Sequence, residues 1–167
     1  MKSSPATLEH TLPRPEGLIE CDTVLDIGAG IRPFSWYKPL RHVCVDPHQP
    51  YCRRLRNAGY ITIQQIALDF LWSAPDGGCD AIYMLDVLEH MHKNEGIEVI
   101  ELAKKKARKQ IVIFTPEGFV QQTKDAWNMG GEYWQTHRSG WLPGEFPGWD
   151  ISFYDEGFFA IWTNTHN

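Results

Sequence analysis

Acidic and histidine side chains recur in the stretch DVLEHMHK, residues 86–93, at a spacing that could carry chemistry. Asp86, Glu89 and His90 stand at positions i, i+3 and i+4, which share one face if this turn is helical. An unperturbed histidine titrates near about 6.5, so His90 and the later His137 are candidate general bases at neutral pH. Together the four side chains form an oxygen and nitrogen set suited to a divalent ion. We expect a site without a metal and keep this set as the alternative.

A turn with two glycines follows an apolar run in VLDIGAGIRPF, residues 24–34. Gly28 and Gly30 are typical of a backbone that a ligand approaches closely. A dinucleotide site would want a third glycine where Pro33 stands, and Asp26 would repel an anionic pyrophosphate. The turn therefore disfavours a nicotinamide-dependent oxidoreductase. A ligand with a positive amino group and a sulfonium removes the objection to Asp26.

Strand-like and helix-like patterns alternate along the chain and must position these residues. Helices are predicted from Pro33, over residues 49–58, and from Asn94 to about Lys109. This alternation predicts a parallel sheet with helices on both faces, closed by an antiparallel hairpin because no helix separates the last two strands. The predicted strands cover residues 23–27, 42–45, 61–66, 80–85, 111–114, 151–154 and 158–163.

Polar side chains stand where the predicted strands end. Asp26, Asp46 and Asp86 lie at or just beyond three strand ends, and Thr115 and Pro116 follow a fourth. In an open α/β sheet, ligands bind outside the carboxyl ends of the strands. The sequence therefore predicts a binding site at this edge of the sheet.

Composition is ordinary for a globular protein. The 167 residues suit one domain, predicted over residues 21–167 behind a Pro-rich lead-in at 1–20. A net charge of −5 gives no support to nucleic-acid or membrane binding, and the basic run Lys104–Lys109 is assigned to a helix C-terminus. Four cysteines without a C-x-x-C pair, no secretory signal and no membrane-length apolar run predict a cytoplasmic protein with reduced thiols.

These motifs, in this order, resemble the class I S-adenosylmethionine-dependent methyltransferases. VLDIGAG resembles their first motif, VCVDPH the second, IALDFL the stretch before the fourth strand, and CDAIYMLDVLEHM the segment that follows. The resemblance spans residues 23–163 and implies a Rossmann-like, seven-stranded, mostly parallel sheet with an antiparallel last strand. The chain departs from the pattern at Arg32 and Pro33, where many members carry a third glycine.

The resemblance implies a role for each matching position. Asp26, Gly28 and Gly30 would line the methionine end of S-adenosylmethionine, Asp46 would hold the ribose hydroxyls, and Asp69 would meet the adenine amino group. Asp69 and Asp46 each also have a plainer interpretation, as a helix cap and as a turn residue. The full set of expected cofactor-binding residues is Asp26, Gly28, Ala29, Gly30, Asp46, Pro47, Ala67, Leu68, Asp69, Leu85 and Asp86.

Residues 117–148 are predicted to form a substrate lid. The segment is rich in tryptophan, which could line an aromatic pocket or simply pin the loop to the sheet. Arg138 could hold an anionic group or pair with an acid such as Glu132. The predicted substrate residues are Glu89, Trp134, His137, Arg138 and Trp141, with His90 and His137 as the predicted catalytic bases.

The sequence thus predicts a methyltransferase that acts on a small molecule or sugar-type acceptor. An RNA or protein methyltransferase and a non-catalytic cofactor-binding subunit remain the alternatives. Neither the acceptor atom nor the oligomeric state is predicted.

Overall fold

Seven strands form one sheet in a computed structural model that describes residues 12–166. They are β1 (Thr23–Ile27), β2 (Arg41–Asp46), β3 (Ile61–Gln64), β4 (Cys79–Leu85), β5 (Ala107–Pro116), β6 (Asp150–Tyr154) and β7 (Gly157–Thr163). Their order is β3-β2-β1-β4-β5-β7-β6. Strands β1 to β5 pair in parallel, whereas β7 runs antiparallel to β5 and β6. The predicted sheet and its antiparallel last strand are confirmed.

Helices occupy three of the connections on the β1–β5 side. They are α1 (Gln49–Asn57), α2 (Ala67–Ser73) and α3 (Lys93–Lys106), with a single turn, α4 (Glu132–Gln135), after β5. Helix α2 was not predicted, since its N-cap is Ile66 and it lacks a polar start signal. Helix α3 begins after His92 rather than Asn94. It ends at Lys106, before the predicted Lys109, because β5 already begins at Ala107.

The helix predicted from Pro33 is wrong: residues 31–40 are irregular. Two prolines close to each other leave little room for a helix, and aromatic side chains do its covering instead. Trp36 packs edge-on against Phe34 at 5.0 Å, Tyr83 at 5.5 Å and Phe159 at 5.9 Å between ring centroids. This aromatic connection covers the centre of one sheet face.

Side chains alternate between the two faces of the sheet, as strand geometry requires. Leu25, Ile82 and Met84 point to the face that packs against α2 and α3. Val24 and Tyr83 point to the opposite face, under the aromatic connection. Helix α1 lies on that second face beside the connection, since Leu55 packs against the strand residue Cys44. Helices therefore cover both faces, but unequally.

The basic run Lys104–Lys109 is divided between α3 and β5, and most of its charges are paired. Lys104 lies 2.8 Å from Glu101, and Lys106 lies 2.7 Å from Asp76. Arg108 and Lys109 both approach the Asp80 carboxylate, at 3.1 and 3.6 Å. The contacts of Arg108 and Lys109 hold the beginning of β5, and most of the run is paired rather than free to form a basic surface.

Residues 117–148 carry only α4 and a 3₁₀ turn, and they fold back over the carboxyl edge of the sheet. Within the predicted lead-in, the first eleven residues lie outside the described ones, while Leu12 and Leu18 pack on the sheet face with the aromatic connection. Within residues 12–166, the helices are too short and too polar to cross a membrane.

Candidate functional site

A cavity of about 240 Å³ opens at the carboxyl ends of β1 to β4, where the sequence predicts the site. Its floor is formed by the strand ends and its far wall by residues 133–138. The lining residues are Ile27, Gly28, Val45, Asp46, Pro47, Tyr51, Gln65, Ile66, Ala67, Asp86, Val87, His90, Met91, His92, Glu95, Tyr133, Trp134, Gln135 and Arg138.

The glycine turn has the backbone that only glycine adopts without strain. Gly28 and Gly30 have φ angles of 68° and 60°. A Cβ at Gly28 would lie 2.6 Å from the Val87 side chain, and one at Gly30 would collide with the ring of Trp127. Gly28 lines the cavity, whereas Gly30 and the buried Ala29 do not. The turn is therefore tightly packed on two sides and presents its first glycine to the cavity.

Asp46 joins β2 to this turn. Its Oδ2 accepts the Gly30 N–H at 2.9 Å and its Oδ1 accepts the His48 N–H at 2.9 Å. Burial raises the pKa of Asp46 to about 6, although both hydrogen bonds oppose the shift. Each oxygen retains a second acceptor position, and the residue lines the cavity. Asp46 can thus support the turn and still accept hydroxyl groups.

Asp26 turns away from the cavity. It is 3% exposed, and its Oδ2 contacts His42 Nε2 at 2.9 Å and the Phe34 N–H at 3.2 Å. Burial raises the pKa of Asp26, while the contacts with His42 lower it. Asp26 is therefore outside the cavity lining.

The other predicted cofactor-binding residues separate into two groups. Ala67, at the first turn of α2, and Pro47 line the cavity. Leu68 packs against the core, and Asp69 is exposed in the first turn of α2, outside the lining. Leu85 is also outside the lining and packs toward the opposite sheet face.

Asp86 and Glu89 follow β4 in different environments. Asp86 lines the cavity in the left-handed conformation, φ 54°, which is uncommon for a residue other than glycine. Glu89 is 2% exposed and outside the cavity lining, and its Oε2 accepts the Thr115 hydroxyl at 3.1 Å. Burial, and then the charge of Asp86, raise the pKa of Glu89 well above its usual range. Glu89 therefore holds its proton more tightly than an ordinary glutamic acid.

His90 and His137 meet although 47 positions separate them in the chain. Their ring centroids are 4.8 Å apart, and Glu89 Oε1 lies 3.9 Å from His90 Nε2. Burial, and then His137, lower the pKa of His90 to about 4, so this histidine is neutral at physiological pH. His137 Nδ1 lies 2.6 Å from the Val120 carbonyl, which leaves its Nε2 as the acceptor nitrogen.

One nitrogen of the pair is unsatisfied. His90 Nδ1 is buried and finds no hydrogen-bond partner within residues 12–166. Donor atoms of Glu89, His90 and His137 all lie within 4.8 Å of one another, so this trio is compatible with a bound ion. Asp86, the fourth member of the predicted set, does not join this group.

Arg138 is held by the backbone. Its guanidinium donates to the carbonyls of His90, Thr136 and Tyr133 at 3.0, 3.0 and 2.6 Å. It also stacks over the Tyr133 ring at 4.7 Å. Arg138 lines the cavity mainly as a support of its wall, because its donors are bound to backbone carbonyls.

The two predicted tryptophans have different surroundings. Trp134 lines the cavity. Trp141 is 1% exposed, and its indole N–H donates to the Ser139 hydroxyl at 2.9 Å, so it belongs to the core. The structure thus supports the pinning interpretation for Trp141 and the pocket interpretation for Trp134.

Several cavity residues were not predicted from the sequence. Tyr51 and Glu95 stand in the first turns of α1 and α3, and Gln65 follows β3, all at the edge that carries the strand ends. Their location just after a strand or at the start of a helix, at the carboxyl edge of the sheet, could have indicated them from the sequence. Trp127, which covers Gly30, offered none, because a distant loop brings it there.

Solved structures with this fold include a "SAM dependent methyltransferase" from Archaeoglobus fulgidus, at a TM-score of 0.65, 17% identity and 86% coverage of each chain. Magnesium protoporphyrin IX methyltransferase (ChlM) from Synechocystis PCC 6803 with bound SAM matches at a TM-score of 0.59 and 12% identity, over 86% of this chain and 70% of that chain. A DhpI–SAH complex matches at a TM-score of 0.59 and 15% identity, over 83% and 74%. No family model and no curated protein matches the chain. The chain therefore has the fold of these methyltransferase structures.

Proposed function

We propose that the chain is an S-adenosylmethionine-dependent methyltransferase. The observation that carries this proposal is the charge of the cavity at the carboxyl edge. Asp46, Asp86 and Glu95 line it, and the one Lys or Arg among its described lining residues, Arg138, is bound to three carbonyls. An acidic cavity of this kind favours a ligand that carries an ammonium and a sulfonium.

In this proposal five cavity residues contact the cofactor. The Gly28 backbone lies against the methionine part, Asp86 faces its ammonium group, and Asp46 accepts the ribose hydroxyls. Ala67 and Pro47 give the adenine an apolar wall. No cofactor contact is proposed for the predicted residues outside the cavity lining, which are Asp26, Leu68, Asp69, Leu85, Ala29 and Gly30.

The bound cofactor supplies an activated methyl group for in-line displacement. The protein's residues then align the acceptor and take its proton. His90 borders the cavity and its ring packs against that of His137, so it is the base we propose. Its lowered pKa keeps it neutral and also makes it a weaker base than an ordinary histidine. Tyr133 and Trp134 form the wall against which the acceptor would lie.

We propose a small-molecule or sugar-type acceptor, because the cavity is small and lid residues 133–138 close one side of it. An RNA or protein substrate would need a wider cavity opening in front of His90. A non-catalytic cofactor-binding subunit would bind the same cofactor and transfer nothing. A cytoplasmic location agrees with four free, buried cysteines, and cell fractionation tests it.

A second candidate mechanism uses a divalent ion at Glu89, His90 and His137. The orphan Nδ1 of His90 and the 4.8 Å cluster favour it. The raised pKa of Glu89 opposes it, because a ligating carboxylate must be ionised. The metal-free mechanism therefore remains our proposal, with the metal as its alternative.

Calorimetric titration with S-adenosylmethionine, S-adenosylhomocysteine and NAD tests the proposal. We expect micromolar binding of the first two and none of NAD. Release of S-adenosylhomocysteine over panels of phenols, sugars, amines, RNA and peptides then identifies the acceptor. Binding without release on any panel would favour the subunit, and folded protein that binds none of the three would overturn the proposal.

A further inference from the structure

Three side chains with metal-binding atoms meet outside the cavity, where β1 and β2 pair. Asp26 is the register partner of Cys44, and His42 precedes Cys44 by two residues, so all three point to the same sheet face. Asp26 Oδ2 lies 2.9 Å from His42 Nε2. Donor atoms of all three lie within 4.8 Å of one another.

The cluster is buried, and one of its members is a carboxylate. Asp26 is 3% exposed and Cys44 is fully buried. Burial, and then the charges of Asp26 and Asp46, raise the pKa of the Cys44 thiol, so a bound ion must displace the thiol proton. A cation bound among these groups would offset the buried negative charge and hold Cys44 as a thiolate.

We propose that Asp26, His42 and Cys44 bind a transition-metal ion of the Zn²⁺ class. Oxygen, nitrogen and sulfur donors together suit borderline-soft ions rather than Mg²⁺ or Ca²⁺. Bonds of about 2.0–2.3 Å to a tetrahedral ion place neighbouring ligand atoms about 3–4 Å apart, so small side-chain rotations suffice here. The Cys44 thiol gives up its proton to solvent when the metal–sulfur bond forms.

An entry path leads to His42. Its side chain is 14% exposed and borders a depression of about 480 Å³ between the aromatic connection and Tyr60. This is the face on which no helix follows the glycine turn. Solvent in the depression would supply the fourth ligand.

The ion would act structurally. Asp26 Oδ2 also accepts the Phe34 N–H, so a metal at Asp26 would join β1, β2 and the chain beyond the glycine turn. The ion would thereby stabilise the chain after the glycine turn, where no helix follows in this protein. The inference does not rest on the proposed function, because none of the three residues lines the cavity. The Asp46 charge links Cys44 to the lining, since it raises the pKa of that thiol.

Titration of metal-free protein with Co²⁺ tests the site, because a thiolate ligand gives a sulfur-to-cobalt charge-transfer absorption that oxygen and nitrogen ligands do not. We expect this absorption to saturate at one equivalent and Zn²⁺ to abolish it. Cys44→Ser should eliminate it. His42→Gln, which can still donate to Asp26, should weaken Co²⁺ binding at least tenfold.

Two controls keep the result specific. Cys79→Ser removes a buried thiol of the same sheet and should retain the absorption. His137→Gln removes a member of the other cluster and should retain it too. Circular dichroism checks that each variant is folded, and Cys44→Ala replaces Cys44→Ser if the serine unfolds the chain. No thiolate absorption in the folded parent, or an absorption that persists without Cys44, would overturn the proposal.

Discussion

Asp46 Oδ2 accepts the backbone N–H of Gly30 at 2.9 Å, which joins the end of β2 to the turn after β1. The same carboxylate accepts the His48 N–H through its other oxygen. One buried side chain therefore orients the glycine turn and the entry to α1. An acid that holds the backbone of a binding turn is also placed to receive ligand hydroxyls.

Replacing Asp46 by Asn should weaken S-adenosylmethionine binding at least tenfold. The amide has one acceptor oxygen instead of two, so either Gly30 or His48 loses its partner, and a buried N–H without an acceptor costs about 1–3 kcal/mol. Calorimetry measures the affinity. Asp22→Asn, at an exposed acid, is the control and should bind like the parent. Equal affinities for both variants would contradict the role of Asp46.

The affinity should also depend on pH through Asp46. Its pKa of about 6 is above the ordinary value, so the group is mostly protonated at pH 5 and ionised at pH 7.5. Because about a tenth remains ionised one unit below the pKa, we expect roughly tenfold weaker binding at pH 5. The same raised pKa lowers the free energy of unfolding as pH rises from about 4 to 6. Binding that is flat from pH 5 to 8 in the parent would refute this assignment.

His90 should stay neutral across the physiological range. Its pKa of about 4 lies below the ordinary value. The contribution of this group to the free energy of unfolding is therefore fully present above about pH 6.5 and is lost as the pH falls toward 4. Proton NMR of the imidazole measures the midpoint directly. A midpoint near 6.5 would show that the ring is solvated and not the buried base proposed here.

Removing the base should reduce turnover rather than binding. We expect His90→Gln to lower kcat by about 10²–10⁴-fold, the range typical of general bases, with cofactor affinity changed less than threefold. Release of S-adenosylhomocysteine with the acceptor found by screening measures kcat. His92→Gln, at an exposed residue that also lines the cavity, shows how far loss of any nearby histidine lowers kcat. A similar loss in both variants would argue against a specific base.

The Trp127 ring should make Gly30 less tolerant of substitution than other glycines with positive φ. Gly30→Ala combines left-handed strain of about 1–2 kcal/mol with a collision against Trp127, whereas Gly148→Ala, at φ 80° with open space around it, has the strain alone. We expect Gly30→Ala to cost at least 1 kcal/mol more free energy of unfolding, as an overpacked site does. Urea denaturation measures both, and equal costs would mean that Trp127 is not packed there.

Added Mg²⁺ or Mn²⁺ should leave kcat unchanged within twofold if the metal-free mechanism is right. These oxygen-preferring ions would occupy Glu89, His90 and His137 in the alternative, but they suit the Cys44 site poorly. Activity that appears only with these ions, and disappears in Glu89→Gln, would replace our proposal with the metal mechanism.

The sequence by itself determined the sheet and its binding edge. Alternating apolar runs placed six of the seven strands to within two residues at each end, and strand ends on Asp46 and Asp86 identified the edge that the cavity occupies. β5 was the exception, because its first residues are charged and lack a strand pattern. Local patterns suffice for the other six strands, because strand periodicity and turn chemistry act over a few residues.

Tertiary structure alone decided which acids face the cavity and which side chains meet. Asp26 and Asp46 have similar positions at neighbouring strand ends, yet the first turns to His42 and the second to the glycine turn. Likewise His90 reaches His137, and Trp127 reaches Gly30, only because residues 117–148 fold back over the edge. Such contacts depend on side-chain direction and on long-range packing, neither of which is encoded in the spacing of residues along the chain.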